Sequence, residues 1–193
     1  MTLHVKVRSP KASENTMHSK PPPSRDRLLE IRGLIFDCDG VLTDRGLFYD
    51  ERGTRILRFD ARDGFGLALW RRAKLSSAIL SGRPTDIASS RFAELGVSPI
   101  MGRCHDKRQG VQDICKEMGV EPQHCAFIGD DLPDLAAYSQ VGLRIAVADA
   151  APEIIETADW ILEARGGHGA AREVCETILK VRGDWEAWVE ANR

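Results

Sequence analysis

Ile31-Arg32-Gly33-Leu34-Ile35-Phe36-Asp37-Cys38-Asp39-Gly40 is the stretch on which the reading of this chain turns. Residues 31–36 make a short apolar run bounded by polar turn residues, the pattern of a buried strand. Where the run stops, two carboxylates flank one cysteine. In extended backbone, positions i and i+2 point the same way. Asp37 and Asp39 can therefore face one crevice while Cys38 points into the protein.

Outward from this stretch, strand and helix patterns alternate. Residues 46–59 read as a hairpin, with Leu47, Phe48 and Tyr49 before an Asp50-Glu51-Arg52-Gly53 turn and Ile56, Leu57 and Phe59 after it. Helical patterns cover 64–73, a stretch opened by Pro84 and closed by Gly96 after Leu95, a stretch capped by Asp106 and ending near Gly119, 132–139, a short piece opened by Pro152, and 170–181. Strand patterns cover 75–80, 125–128, 143–147 and 160–162. Repeated β-α units imply an α/β fold: a doubly wound parallel sheet covered by helices on both faces. Between Asp39 and the first of these helices lie only about two dozen residues, enough for a hairpin flap and no cap domain.

Residues 1–28 differ from the rest. They hold Pro21-Pro22-Pro23 and many Ser, Lys and Arg without an apolar repeat, and read as a disordered tail. The tail is basic but has no apolar h-region, which argues against a targeting peptide; Met17 is an alternative start. The domain proper is expected over 29–182, with a charged C-terminal tail at 183–193 that contains Trp185 and Trp188. The chain's 193 residues are 42% hydrophobic and 29% charged, an ordinary globular composition. A net charge of -2 gives no reason to expect nucleic acid or an anionic membrane as partner, and no apolar run is long enough to span a bilayer. Five scattered cysteines without a C-x-x-C pair point to free thiols in a reducing compartment, here the cytoplasm.

Four short stretches carry chemistry, each at an element end, where an open α/β sheet forms its ligand crevice. Asp37 is placed to attack phosphorus or bind a cation, and Asp39 to give a proton to a leaving oxygen and take one from water. Gly129-Asp130-Asp131, with Asp134, clusters the hard oxygen ligands that suit magnesium. Ser81-Gly82-Arg83 offers a hydroxyl, exposed N–H groups and a guanidinium fork to an anion. Lys107 opens a helix and can offset the charge of a phosphate and of Asp37. Singly, each has a plainer reading: an Asx turn, acids complementing a helix dipole, a common S-G-R turn, a surface lysine. Acid pair, hydroxyl, lysine and acid pair in that order, each at an element end, are improbable as four independent turns.

That order resembles the haloacid dehalogenase superfamily of aspartate-nucleophile phosphatases. The resemblance implies a nucleophile at Asp37, an acid/base at Asp39 and a phosphate-holding pair at Ser81 and Lys107. It also implies magnesium held by Asp37, Asp39 and Asp130, with Asp131 and Asp134 in support. The stretches I-F-D-C-D-G-V-L-T-D, A-R-D-G-F-G, L-S-G-R, F-I-G-D-D-L-P-D and G-G-H-G-A-A-R-E-V are similar to 3-deoxy-D-manno-octulosonate-8-phosphate phosphatases, over roughly residues 30–182. They also resemble the phosphatase-like region of some acylneuraminate cytidylyltransferases. The family implies a small-molecule sugar-acid phosphate as substrate. It also implies a homotetramer in which hairpins pack together and a neighbour's C-terminal segment helps close the site. Carried over by position, Asp60, Ala61, Arg62, Asp63 and Gly64 look like a substrate-binding loop. Asp39, Gly82, Arg83, Arg91, Lys107 and His168 look like further substrate contacts. The chain departs from the family pattern at Ala68 and His168, where some members have arginine, and at Asp60, where a neutral amide is often found.

Other readings keep part of this chemistry. A nine-carbon ulosonic acid 9-phosphate phosphatase or a broad-range sugar phosphatase would change only the sugar. A scaffold that has lost catalysis predicts a broken set, yet Asp37, Asp39, Ser81, Lys107 and Asp130 are all present. A phosphoacceptor signalling domain wants its aspartate mid-chain. A cysteine phosphatase wants an arginine six residues beyond its cysteine, and no cysteine here has one.

Overall fold

Side-chain alternation along the strands explains how the sheet is covered. The computed structural model describes residues 20–193. Its strands are β1 (Gly33–Phe36), β2 (Phe48–Tyr49), β3 (Arg55–Ile56), β4 (Ser76–Leu80), β5 (Ile100–Met101), β6 (Cys125–Gly129), β7 (Leu143–Ala146) and β8 (Trp160–Ile161). Its helices are α1 (Arg25–Glu30), α2 (Ala61–Arg72), α3 (Ser89–Leu95), α4 (Lys107–Met118), α5 (Asp134–Tyr138), α6 (Pro152–Thr157), α7 (Ala170–Arg182) and α8 (Asp184–Glu190). Six strands form one parallel sheet in the order β5-β4-β1-β6-β7-β8, and β2 and β3 form a separate antiparallel hairpin.

Leu34, Phe36, Ile79, Ala126 and Ile128 point to one face of the sheet, where Leu67 and Trp70 of α2, Phe92 of α3 and Val174 and Ile178 of α7 cover them. Ile35, Ala78, Leu80, Cys125 and Phe127 point to the other, under Val111 and Ile114 of α4, Tyr138 of α5 and Ile154 of α6. Each large apolar side chain so buried stabilises the fold by about 1.5–3 kcal/mol relative to exposure. Tyr138 satisfies its buried hydroxyl by donating to the Ile145 carbonyl at 2.6 Å. The α/β fold expected from the sequence is therefore present, with a hairpin in place of a cap.

Register sets the site. Phe36 pairs with Ile79 on one side and with Ile128 on the other. The residues that follow the three central strands, Asp37, Ser81 and Asp130, thus emerge along one edge of the sheet, with β1 between its two crossover directions.

Three stretches differ from the sequence reading. Of the expected tail, residues 1–19, Met17 among them, lie outside the described residues, but the part from Lys20 onward belongs to the fold. Lys20 Nζ donates to the carbonyls of Ile155, Glu156 and Ala158 at 2.7–3.1 Å, a cation at the C-terminal end of α6. Ser24 caps α1, which buries Leu28. Pro84 does not open α3: the backbone after Ser81 is tied to the next segment by Arg103 N–H to the Arg83 carbonyl and Cys104 N–H to the Ser81 carbonyl, both 3.0 Å. A 3₁₀ turn at Asp86–Ala88 then leads into α3. The C-terminal stretch is helical. Trp188 sets its ring edge-on to Phe65 at 5.1 Å, and the Arg172 guanidinium lies 4.5 Å from the centre of the Trp185 ring. Among the described residues no helix is long and apolar enough to cross a membrane.

Candidate active site

The first strand ends in a turn that only glycine permits. Gly40 sits at φ +102°, and a Cβ there would lie 2.0 Å from Asp130 Oδ2. Glycine supplies both the left-handed backbone and the clearance. Thr43 pins this turn by donating from Oγ1 to the Cys38 carbonyl and accepting from Gly40 N–H, both at 3.3 Å. The glycine-rich loop lies against the same turn: Gly167 N–H donates to the Val41 carbonyl at 2.9 Å, and a Cβ on Gly166 would be 1.8 Å from the Gly40 carbonyl oxygen.

Asp134 organises the acids. Its Oδ2 accepts from the N–H groups of Asp130 (2.8 Å) and Asp131 (3.2 Å), and its Oδ1 from Lys107 Nζ (2.6 Å). Lys107 opens α4, which Asp106 caps by accepting from Arg108 and Gln109 N–H. Its ammonium is 4% exposed as a residue and lies 3.0 Å from Asp37 Oδ1. Carboxylate oxygens of Asp37, Asp130 and Asp134 all fall within 4.8 Å of one another. Burial, then the Asp134 charge, pushes Asp37 up to about 7 against the pull of Lys107. Burial, then Asp37 and Asp134, pushes Asp130 up to about 8. Burial works against the Lys107 cation, but Asp37 and Asp134 outweigh it and raise its pKa.

Three acids surround one buried ammonium, with the partly exposed Arg45 guanidinium 3.7 Å from Asp130 Oδ2 as a weaker further counter-charge, and Asp130 Oδ1 is buried with no hydrogen-bond partner. A hard divalent cation fits that cluster of acids. Asp37 and Asp130 have oxygens free to hold it; both Asp134 oxygens are occupied, so Asp134 orients its neighbours.

A crevice of about 390 Å³ opens above these groups, lined also by Asp39, Arg45, Ser81, Gly82, Arg83 and Asp131. Ser81 is buried and accepts from Arg83 N–H at 3.1 Å. Asp39, expected among the metal ligands, has its carboxylate outside the group of three: Arg55 of β3 holds Oδ1, and Arg83 Nε lies 4.0 Å from Oδ2. Asp131 turns its Oδ1 to Leu132 N–H.

The expected substrate loop does not line this crevice. Asp60 caps α2 through Arg62 N–H (2.7 Å) and also binds the Arg62 guanidinium, which holds its carboxyl below the usual range. Ala61 is the first residue of α2. Asp63 is buried and accepts from Gly169 N–H (3.3 Å) and Arg172 N–H (2.8 Å); its oxygens serve the start of α7. Gly64 gives room to Arg91, whose Nη2 would be 2.2 Å from a Cβ there, and Arg91 itself pairs with Glu94. Arg62 and His168 face a second, larger cavity of about 640 Å³ beside α7. The sequence reading missed Arg45 and Arg55. Arg45 stands at φ +65°, with Nη1 3.7 Å from Asp130 Oδ2 and Nη2 paired with Asp149. Its unusual backbone, next to Gly46, carries no signal in the residue type.

A parallel sheet whose first strand delivers an aspartate to a buried lysine and a divalent-cation site defines an aspartate-centred, metal-dependent hydrolase. The family model for haloacid dehalogenase-like hydrolases matches residues 74–174. A 3-deoxy-D-manno-octulosonate 8-phosphate phosphatase of Escherichia coli (strain K12) is 36% identical over 153 residues, 79% of this chain and 81% of the relative. The crystal structure of such a phosphatase from Moraxella catarrhalis, in complex with magnesium, phosphate and KDO, superposes with a TM-score of 0.83 at 35% identity, covering 88% of this chain and 97% of that one. A cobalt-bound deoxy-D-mannose-octulosonate 8-phosphate phosphatase from Haemophilus influenzae gives 0.79 at 38% identity, covering 82% and 93%. The chain belongs to the 3-deoxy-D-manno-octulosonate 8-phosphate phosphatase family of haloacid dehalogenase-like hydrolases.

Proposed function

We propose that this protein hydrolyses 3-deoxy-D-manno-octulosonate 8-phosphate to KDO and phosphate with magnesium as cofactor. One observation carries the chemistry: Asp37 Oδ1 lies 3.0 Å from the Lys107 ammonium at the floor of an open crevice, beside two further buried acids. The sugar follows from the family and from the KDO-bound neighbour.

In this mechanism a carboxylate oxygen of Asp37 attacks phosphorus, and the bond from phosphorus to the sugar oxygen breaks. Asp39 gives that departing oxygen a proton. Asp39 then takes a proton from a water that attacks the aspartyl-phosphate, which frees Asp37 and phosphate. Ser81 and Lys107 hold the phosphoryl oxygens throughout. When bound at Asp37 and Asp130, magnesium offsets phosphoryl and carboxylate charge. Arg83, at the crevice mouth, is the group of this subunit suited to the sugar carboxylate.

Our reading includes a homotetramer. The hairpin exposes Leu47, Phe48, Tyr49 and Ile56, an apolar surface of the kind that subunits cover. Arg62, Arg91 and His168 stand away from their own crevice, so they reach substrate only across a subunit boundary. Five free cysteines suit the cytoplasm. A panel of sugar phosphates, with phosphate release measured in magnesium, tests the assignment. We expect the eight-carbon 8-phosphate to be preferred; preference for a nine-carbon 9-phosphate, or no release from either, overturns it.

A further inference from the structure

Asp39 must hold one orientation through two proton transfers, yet the backbone around it does little to fix its side chain. It stands between Cys38 and Gly40 at φ -84° and ψ 106°, in the turn with the left-handed glycine. Among the described residues its carboxylate accepts no backbone N–H; its close partner is Arg55, with Nη2 2.5 Å from Oδ1. Arg55 comes from β3, where it pairs in register with Tyr49 of β2. Its side chain is 15% exposed and its Nε is buried without a partner. A guanidinium half-desolvated in this way is not a solvated surface charge. It is absent from the lining of the catalytic crevice, where Asp39 Oδ2 and Arg83 meet. Arg55 thus grips Asp39 at one oxygen and leaves the other for the reaction.

We propose that Arg55 is a positioning residue for the general acid/base, through which the hairpin sets the geometry of proton transfer. The idea rests on the phosphatase reading above, with Asp39 as acid. A general acid contributes about 10²–10⁴-fold, and only while it is within hydrogen-bond reach of the leaving oxygen. The charged contact from Arg55 Nη2 to Asp39 Oδ1 is lost with a neutral side chain and kept only in part by the shorter lysine. The hairpin strands are only two residues each, so few other contacts fix this register.

The test compares two esters on the full-length protein in magnesium. KDO 8-phosphate expels a primary alkoxide, which needs a proton; p-nitrophenyl phosphate expels a stable phenolate, which does not. In Arg55→Ala we expect kcat/KM to fall about 30-fold on the sugar phosphate and less than about 3-fold on the aryl ester. The ratio of the two is independent of how much of the variant is folded. Arg55→Lys should recover part of the ratio. In an Asp39→Asn background the Arg55→Ala substitution should cost nothing further on the sugar phosphate, whereas a direct contact with the sugar would persist. Equal losses on both esters, or a persisting loss without Asp39, overturn the positioning role alone. A wild-type protein that splits neither ester overturns the phosphatase reading together with it.

Discussion

Lys107 Nζ sits 3.0 Å from Asp37 Oδ1, so the residue that opens α4 supplies the counter-charge for the residue that follows β1. The same ammonium also binds Asp134. Removing it leaves two buried carboxylates facing each other without compensation, and breaking a buried ion pair on one side costs about 3–5 kcal/mol. Lys107→Met should therefore lower unfolding stability by about 3 kcal/mol in urea titrations without magnesium, and phosphate release should fall in parallel. A variant as stable as the parent would mean that the pairing carries no weight.

Asp37→Asn removes the attacking oxygen but keeps the volume and one acceptor for Lys107. Turnover should drop at least about 10³-fold, while circular dichroism stays that of the parent. A rate within tenfold of wild type would place the nucleophile elsewhere.

The unpartnered Asp130 oxygen predicts a thermal signature for the cation that is separate from catalysis. A ligand that binds only the native state at about 100 times its Kd stabilises by about 2.7 kcal/mol. For a chain of this size that is a rise in Tm of about 5–10 °C. Magnesium should produce such a rise, EDTA should reverse it together with activity, and Asp130→Asn should abolish it. A Tm indifferent to magnesium would contradict the metal site.

The sheet was legible because its strands are buried on both faces. Runs such as 125–128 have no polar alternation and end where chemistry begins. Both ends of helix α4 were legible, because Asp106 caps it and Gly119, near which it was expected to end, closes it at φ +66°. That Asp37, Asp39, Ser81, Lys107 and Asp130 share one crevice was legible because each sits at an element end. What the sequence hid depends on contacts between distant parts. Helix α1 is too short to show a repeat, and Lys20 is placed by three carbonyls at the far end of the chain. Arg45 and Arg55 meet Asp130 and Asp39 only when distant parts of the chain fold together. The burial of Asp63 against the Gly169 and Arg172 N–H groups is a tertiary fact that no local motif announces.

Asp63 also carries a pH prediction. Burial pushes its carboxyl up to about 6, although the Arg172 and Gly169 N–H groups pull it down. With its folded pKa above the unfolded value of 3.8, the native state binds the proton more tightly. The group's favourable contribution is fullest below pH 3.8 and is lost as pH rises through 6. Asp63→Asn removes that dependence while keeping an oxygen for Arg172 N–H. Measured by urea unfolding, the stability of the variant relative to wild type should rise by about 2 kcal/mol between pH 4 and pH 8. A parallel pair of pH profiles would show that Asp63 is not the buried charge described.

On the tetramer reading, the hairpin would link assembly to the site. Phe48 and Ile56 face each other across its two strands and are each 53% exposed, beside Tyr49 at 60%. Burying that surface between copies would hold β3, and with it Arg55 and Asp39, in place. By light scattering, the wild-type protein should be a tetramer. Phe48→Asp combined with Ile56→Glu should shift it to smaller species without loss of secondary structure, since neither side chain belongs to the core. Turnover of the sugar phosphate should fall with the assembly, because Arg62, Arg91 and His168 would no longer meet a neighbour's crevice. A wild-type monomer with full activity would sever that link and leave the hairpin as a flap that works alone.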